Sequence, residues 1–535
     1  MTDTELDWGV GSGLKRDTAL VTLCTLVSRV SGFGRVIATA AVLGSGLLGD
    51  VYQSANLIPN LLFELVAGGV LQAVLVPTFV AARRAGGRRQ LGEAVQAANG
   101  VVLAALTSIA MIAMVASPFL TRLMVAYEPA VDVARDKLDL MLPMALVFVP
   151  QLVCYGLATV TSAALNARGR FVAAALAPAV NNVIVIAACL AFRASRDGEV
   201  ADLDLTPMQF AIIAGGTTLG VVAYALTPAT VLRSDGVKWW PRWHPEHTAV
   251  QAMRASFGWA TLSVVGTLVP TMVALALGNG ATGGVAVFVY AFAFYVLPHA
   301  LVAVPMATTL APRVADQWQM GDVSTARASI DSAMRIAVPL LVLAGAGMVS
   351  LSWSVARVAA FGQTASQGLA PIAHTLAAFG PGLVGYGVAF VMTRVLFAIG
   401  DVRAASVLMI VGAVVGVTWM GVASGLMAPT ERAAALAMGY GASQTIAAVL
   451  LVRRVHRQTG SMSGTVTLRL LAESLVAGAA SLATMVWVTN RFGTSRREAL
   501  EAVLFAGVAG VFVFGAVMAL LRGRELLGRR GEPAS

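Results

Sequence analysis

Two arginines interrupt an apolar stretch long enough to cross a bilayer. They are Arg29 and Arg35, in LVTLCTLVSRVSGFGRVIATAAVLGSGLLG from Leu20, and Asp50 and Glu64 follow in the next apolar run. An arginine at the bilayer centre costs about 2.5–3.5 kcal/mol on insertion scales, so two in one span call for water, an anion or a ligand beside them. Six residues apart on a helix, they lie roughly 9 Å along the axis and about 120° around it, too far apart for one narrow face. Ser31, Gly32 and Gly34 between them predict a helix bent or loosened enough for both guanidinium groups to reach one cavity. The alternative is that both snorkel toward opposite interfaces. A cationic pocket in lipid predicts an anionic substrate, and the forked donors of arginine fit phosphate. Glu64 is placed to pair with Arg29 or Arg35, unless burial keeps it protonated. Asn181 and Asn182 offer either substrate contacts or interhelical hydrogen bonds. Arg394, near a helix end, reads as cavity floor or as interfacial cation.

The elements that must hold these residues are membrane helices. With 58% hydrophobic and 12% charged residues and a mean hydropathy of +0.79, the chain falls far below the roughly 25% charge of soluble domains. It reads as an all-α polytopic membrane protein. Apolar stretches near 18–46, 50–82, 92–118, 138–166, 171–193, 207–232, 252–278, 284–312, 326–353, 368–398, 404–427, 432–453, 469–490 and 499–521 predict about 14 transmembrane helices. The net charge of +10 is scattered through short loops rather than gathered in the continuous patch a nucleic-acid binder needs. Even-numbered connections and both tails hold the larger share, including Lys15, Arg16, Arg83, Arg84, Arg88, Arg89, Arg168 and Arg170, which places both termini in the cytoplasm. Cys24, Cys154 and Cys189 lie in apolar spans and suggest no disulfide framework. The N-terminal tail precedes a span too long for a removed signal peptide.

An internal duplication orders the spans. FVPQLVCYG at Phe148–Gly156 is answered by FGPGLVGYG at Phe379–Gly387, and Leu165-x-Ala167-x-Gly169 by Leu396-x-Ala398-x-Gly400 at the same offset. A looser echo pairs IPN at Ile58–Asn60 with LPH at Leu297–His299. Two parallel halves of about six spans, followed by two extra spans, fit a transporter whose substrate site lies between the halves near the midplane. The boundaries are a cytoplasmic tail at 1–17, an N-lobe at 18–232, an interfacial loop at 233–251, a C-lobe at 252–455, two further helices within 456–521 and a cytoplasmic tail at 522–535. The loop KWWPRWHPEH contains His244-x-x-His247, but two histidines are too few for a metal site, and the tryptophans with Lys238 and Arg242 read as an interfacial belt. No GxxxxGK[ST] run, nucleophile elbow or zinc spacing occurs, so neither an enzyme nor an ATPase is expected, and no cofactor or metal.

SRVSGFGR at Ser28–Arg35, LGSGLLGDVYQSANLIPNLL at Leu43–Leu62 and VLVPTFVAA at Val74–Ala82 resemble, in order and spacing, the opening of the MurJ (MviN) family of bacterial lipid II flippases. The likeness continues through APAVNNVIVI at Ala177–Ile186, WWPRWHPEH at Trp239–His247 and RVLFAIGDVRAA at Arg394–Ala405, and fades after about residue 460. It implies the MOP exporter fold, two six-helix lobes around a central cavity with two added helices. It also implies lipid II, an undecaprenyl pyrophosphate bearing the peptidoglycan building block, as substrate in the cell membrane. Arg29 and Arg35 match the two arginines of the family's first helix. Asp50 matches an acidic residue that would pair with an arginine or gate the outer mouth, and otherwise would be a solvated loop carboxylate. Three departures leave fewer cavity charges: Phe63 and Glu64 where relatives carry an arginine, the apolar YAFAFYV at Tyr290–Val296 in place of another, and Val36 in place of an acid. The seventh and eleventh spans lack ligands for the sodium site of some relatives, so no bound sodium is expected. Partners implied are lipid II, membrane lipids and cell-wall synthesis or division proteins, with no nucleic acid. Alternatives are export of another lipid-linked oligosaccharide or a drug, or a non-transporting cell-wall scaffold.

Overall fold

The computed structural model describes residues 13–67, 70–196, 202–256, 259–366, 368–462 and 464–528. Among them every regular element is helical. Among the described residues eleven helices are long and apolar enough to cross a membrane, or twelve if the bent pair Ala370–Phe379 and Gly382–Ala398, which meet at 46°, is one span. The sequence count of about 14 is not reached on that measure. One reason is that the run Val74–Val125 is a single continuous stretch although its backbone leaves helical geometry at Gly86 and Gly87. Another is that the seventh predicted span is represented by the shorter apolar helix Leu262–Gly278.

The chain divides into two compact units. The first comprises residues 1–42, 55–121 and 139–258, and the second residues 43–54, 122–138 and 259–535. In the first lie α1 (Gly13–Leu43), most of α2 (Leu47–Ala67) and α3 (Val70–Val125), the greater part of α4 (Val131–Phe148), α5 (Gln151–Ala167), α6 (Phe171–Ala194), the one-turn α7 (Pro207–Phe210) continuing through a π-turn into α8 (Gly216–Ser234), and α9 (Thr248–Ser256). Its core joins Phe79, Leu91, Val95, Leu106, Leu152 and Val160. Gly220 lets α8 lie against α6, since a Cβ there would sit 2.5 Å from the Asn181 side-chain oxygen.

The second unit holds α10 (Trp259–Gly278), α11 (Gly284–Gln319), α12 (Val323–Ser350), the short α13 (Ser352–Ala359) and α14 (Gly362–Ser366), α15 (Ala370–Phe379), α16 (Gly382–Ala398), α17 (Val402–Leu426), α18 (Arg432–Thr459), α19 (Gly464–Thr489) and α20 (Arg496–Gly528). Tyr295, Leu341, Phe379, Met392 and Tyr440 centre its core. The last two helices pack on each other and α19 also on α12, where Ser481 Oγ donates to the Gly510 carbonyl at 2.9 Å.

The sequence duplication has a backbone counterpart. Helix α4 stops at Phe148 and α5 begins after Pro150, just as α15 stops at Phe379 and α16 begins after Pro381, because proline cannot supply the amide that would carry either helix through. At the far end both α5 and α16 close on a left-handed glycine, Gly169 (φ +75°) and Gly400 (φ +85°). The next amide reaches back five residues in each case, Arg170 to the Leu165 carbonyl at 2.9 Å and Asp401 to the Leu396 carbonyl at 2.8 Å. This is a Schellman closure that a Cβ would strain.

Candidate functional site

On α1 the two arginines ride an unbroken helix, so the expected loosening at Ser31–Gly34 does not occur. The small residues serve packing. Ser31 Oγ donates back to the Ser28 carbonyl at 3.0 Å, and Asn182 Nδ2 on α6 donates to Ser31 Oγ at 3.1 Å and approaches the Ser28 carbonyl at 3.4 Å. A Cβ on Gly32 would meet that same Asn182 nitrogen at 3.4 Å. Asn182 therefore ties α6 to α1, and the neighbouring Asn181 Oδ1 is buried without a hydrogen-bond partner. Arg29 is exposed and Arg35 half-buried, as the 100° step of a straight helix requires for residues on different faces. Neither guanidinium group makes a hydrogen bond or ion pair among the described residues, although the Arg35 carbonyl accepts from Thr39 Oγ1 at 2.9 Å. Glu64 is likewise exposed, and the expected ion pair with Arg29 or Arg35 is not formed among them. Glu64 sits on α2 beyond the Pro59 position, with its carboxylate free of the arginines.

Asp50 is buried completely, not solvated, and its partners are not arginines. Its two oxygens accept the amides of Gly283 (2.7 Å), Val285 (3.0 Å) and Ala286 (2.8 Å), the open N-terminus of α11. The partial positive charge of a helix start favours an anion there. Gly283 must be glycine, because its φ is +78° and a Cβ would lie 1.9 Å from the Ser45 carbonyl oxygen. Lys137, also fully buried, stands 4.0 Å from Asp50, donates to Glu128 at 2.7 Å and to the Asn279 carbonyl at 2.8 Å. Asn279 Nδ2 closes the circuit to Ser54 Oγ at 3.0 Å. Tyr290 donates to the Gly44 carbonyl at 3.0 Å, and Arg432 to the Gly280 carbonyl. The start of α2, the segment before α4 and the α10–α11 turn are thus one polar knot inside the second unit. Sequence reading missed Lys137, Glu128 and Asn279. The available signal was a lysine followed directly by LDLMLPMALVF, apolar but for Asp139, since a lysine is costly to bury unpaired.

Arg394 on α16 is half-buried, its guanidinium 5.3 Å from the Phe390 ring centre. Beside it runs an aromatic column not anticipated from sequence. Buried His299 stacks on Tyr386 at 3.9 Å and meets Phe390 edge-on at 5.0 Å, and Tyr386 stacks on Tyr295 at 5.2 Å. Tyr295 donates to the Gly382 carbonyl at 3.0 Å. The apolar YAFAFYV run that replaces an expected arginine supplies Tyr295 to this column, and His299 belongs to the LPH echo of the repeat.

An all-helical chain of this many apolar spans among its described residues, with arginines carried on one of them, is a polytopic membrane protein. The family model described as lipid II flippase MurJ matches residues 39–497, and the chain belongs to that family. It is 30% identical over 340 residues to the probable lipid II flippase MurJ of Rhizobium tropici, a stretch covering 62% of this chain and 61% of that relative. The aligned stretch thus spans somewhat less than two thirds of that relative's length. A solved structure of lipid II flippase MurJ in an inward closed conformation superposes with a TM-score of 0.72 at 16% identity, covering 95% of this chain and 100% of the other. An inward-facing multidrug resistance MATE family transporter of the MOP superfamily superposes at 0.66 and 14% identity, over 83% and 98%. At those identities both establish the fold.

Proposed function

We propose that the protein carries lipid II from the inner to the outer leaflet of the bacterial cell membrane by alternating access, with both termini cytoplasmic. The observation that carries this reading is the family match across residues 39–497 in a chain whose first described helix presents Arg29 and Arg35 without a protein counter-charge among the described residues. The pyrophosphate of the substrate is the missing counter-charge, and bidentate guanidinium–phosphate contacts would orient it. Arg394 is proposed to contact substrate within the second unit, and Glu64 and Asn181, in the same unit as Arg29 and Arg35, are proposed to line the same path as those two arginines. Asn182 acts on it by fixing α6 to α1. Asp50 is proposed to act by position rather than by touching substrate. The knot it forms with Lys137 and the α11 amides holds its helix ends together at the outer face and must open for release.

With no nucleotide-binding loop in the sequence, the driving force we infer is the membrane potential, worth about 2.3 kcal/mol per charge per 100 mV. Cell-wall synthesis or division proteins are the partners that would consume the product. The test is outer-leaflet exposure of lipid II in cells depleted of the protein, read by an added enzyme that cleaves only precursor displayed outside. Cleavage is expected to collapse, to return with the wild-type chain, and to stay low with Arg29→Ala or Arg35→Ala at equal membrane abundance. Exposure that persists after depletion, in cells also lacking any second flippase, would overturn the assignment.

A further inference from the structure

Four arginines lie near one another at the loop end of the first unit, away from Arg29 and Arg35 in sequence, and two of them pair with one carboxylate. Asp235, its side chain 8% exposed, pairs with Arg168 and Arg170, each at 3.3 Å. Arg168 also donates to the Asp235 carbonyl at 3.3 Å. Arg83, just before the Gly86–Gly87 break of α3, donates to the Ala167 carbonyl at 3.0 Å. Arg88, just after the break, brings a nitrogen to 3.8 Å from where a Gly236 Cβ would stand. Burial pulls the Arg168 guanidinium below its ordinary value, and Arg88, Arg170 and Arg83 push it the same way against the opposing pull of Asp235. One carboxylate is therefore paired with two arginines while the like charges of Arg83 and Arg88 act on Arg168, and the ion pairs hold two of the forks in place before any ligand arrives.

The surroundings are those of a headgroup layer. Directly after Arg170, Phe171 and Val172 open α6 with 41% of each exposed. Beyond Asp235, Trp239 and Trp240 stack at 4.6 Å. Trp240 and Trp243 are 61% and 66% exposed. This loop is clipped to α3, with Asn99 Nδ2 donating to the Trp239 carbonyl at 2.7 Å and the Arg242 amide to the Gln96 carbonyl at 3.0 Å. Exposed tryptophans and aliphatic side chains beside a basic cluster are what the boundary between headgroups and acyl chains selects.

We propose that Arg83, Arg88, Arg168 and Arg170 bind the phosphate of an anionic phospholipid of the cytoplasmic leaflet, with Phe171, Val172 and Trp240 against its acyl chains. Only the choice of leaflet rests on the orientation proposed above. The site adds to the transport reading and is read out without transport, so the two can fail separately.

The test is native mass spectrometry of the purified full-length protein, titrated with phosphatidylglycerol or with phosphatidylcholine of the same chain length. Phosphatidylglycerol is expected to bind preferentially. Arg88→Gln with Arg170→Gln, which leaves the Arg168–Asp235 pair intact, is expected to weaken it by about 30-fold, from roughly five-fold per basic residue near an anionic headgroup. Arg88→Lys with Arg170→Lys is expected to retain most of the preference, and unchanged thermal melting of both variants shows that they fold. Equal binding of the two lipids, or an unchanged affinity in the glutamine variant, overturns the proposal. So does full displacement by inorganic pyrophosphate at equal concentration, which would mark a site for soluble phosphate groups. Loss of the lipid in Arg29→Ala/Arg35→Ala would place it in the substrate path and overturn the proposal as well.

Discussion

Replacing Asp50 with asparagine removes one charge from the knot at the start of α11 while keeping its shape. The carboxylate presents two acceptor oxygens to the amides of Gly283, Val285 and Ala286, and the carboxamide presents one. Its NH₂ would face an amide donor, so one charge-assisted hydrogen bond of about 1.5–3 kcal/mol is lost. The attraction between carboxylate and helix end goes with it, about 1 kcal/mol more. Lys137, 4.0 Å away, is then balanced only by Glu128. The expected loss of stability is about 2.5–4 kcal/mol, overlapping the roughly 3–5 kcal/mol for breaking a buried pair by removing one partner. Unfolding of the purified full-length protein by titration with SDS measures it. A double-mutant cycle with Lys137→Met isolates the pair, with an expected coupling of about 1–2 kcal/mol. A variant within about 0.5 kcal/mol of wild type, strictly additive with Lys137→Met, would refute the reasoning, since distant and independent sites behave that way.

Gly100→Ala should detach the tryptophan loop from α3, because the added methyl would lie 1.9 Å from the Arg242 carbonyl oxygen and backbone must move. Faster hydrogen exchange at the Arg242 amide is the readout, and unchanged exchange would count against the packing described. Asp322 caps α12 by accepting the Thr325 amide at 3.0 Å, and its side-chain and backbone bonds to Thr325, with that to Ser324, hold its carboxyl at about 2. A depressed carboxyl contributes stability that is present above the unfolded value of about 3.9 and lost as pH falls through the folded one. Exchange protection in the first turn of α12 should therefore hold from neutral pH to about pH 4 and decline below it, whereas Asp322→Asn should show no such decline. Asn182→Leu should loosen α1 from α6 by deleting its bonds to Ser31 and Ser28, seen as a lower melting temperature with Arg29 and Arg35 intact.

Membership of the membrane class and the succession of spans were legible because lipid tolerates only long apolar helices, and hydropathy records their length residue by residue. The repeat was legible for a related reason. Proline and glycine act through their own backbones, so Pro150 and Pro381 break helices, and Gly169 and Gly400 close them, wherever the chain folds. Arg29 and Arg35 could be singled out because an arginine is costly at that depth whatever its neighbours are. The partners of a charge are a different matter. Asp50 meets Lys137 from 87 residues away and the α11 amides from more than 230, and no local periodicity carries a pairing across that distance. Ser31–Gly34 show the same limit: small residues permit either a bend or a close helix, and only the arrival of Asn182 from α6 selects the second. The arginines Arg83, Arg88, Arg168 and Arg170 were visible singly as loop charges, yet their approach to one another and to Asp235 depends on α3, the α5–α6 turn and the end of α8 meeting. The sequence by itself thus determined which residues must be compensated, because burial costs are properties of single side chains. Only the tertiary structure decided what compensates them, because that depends on which distant elements the packing brings within a few ångströms.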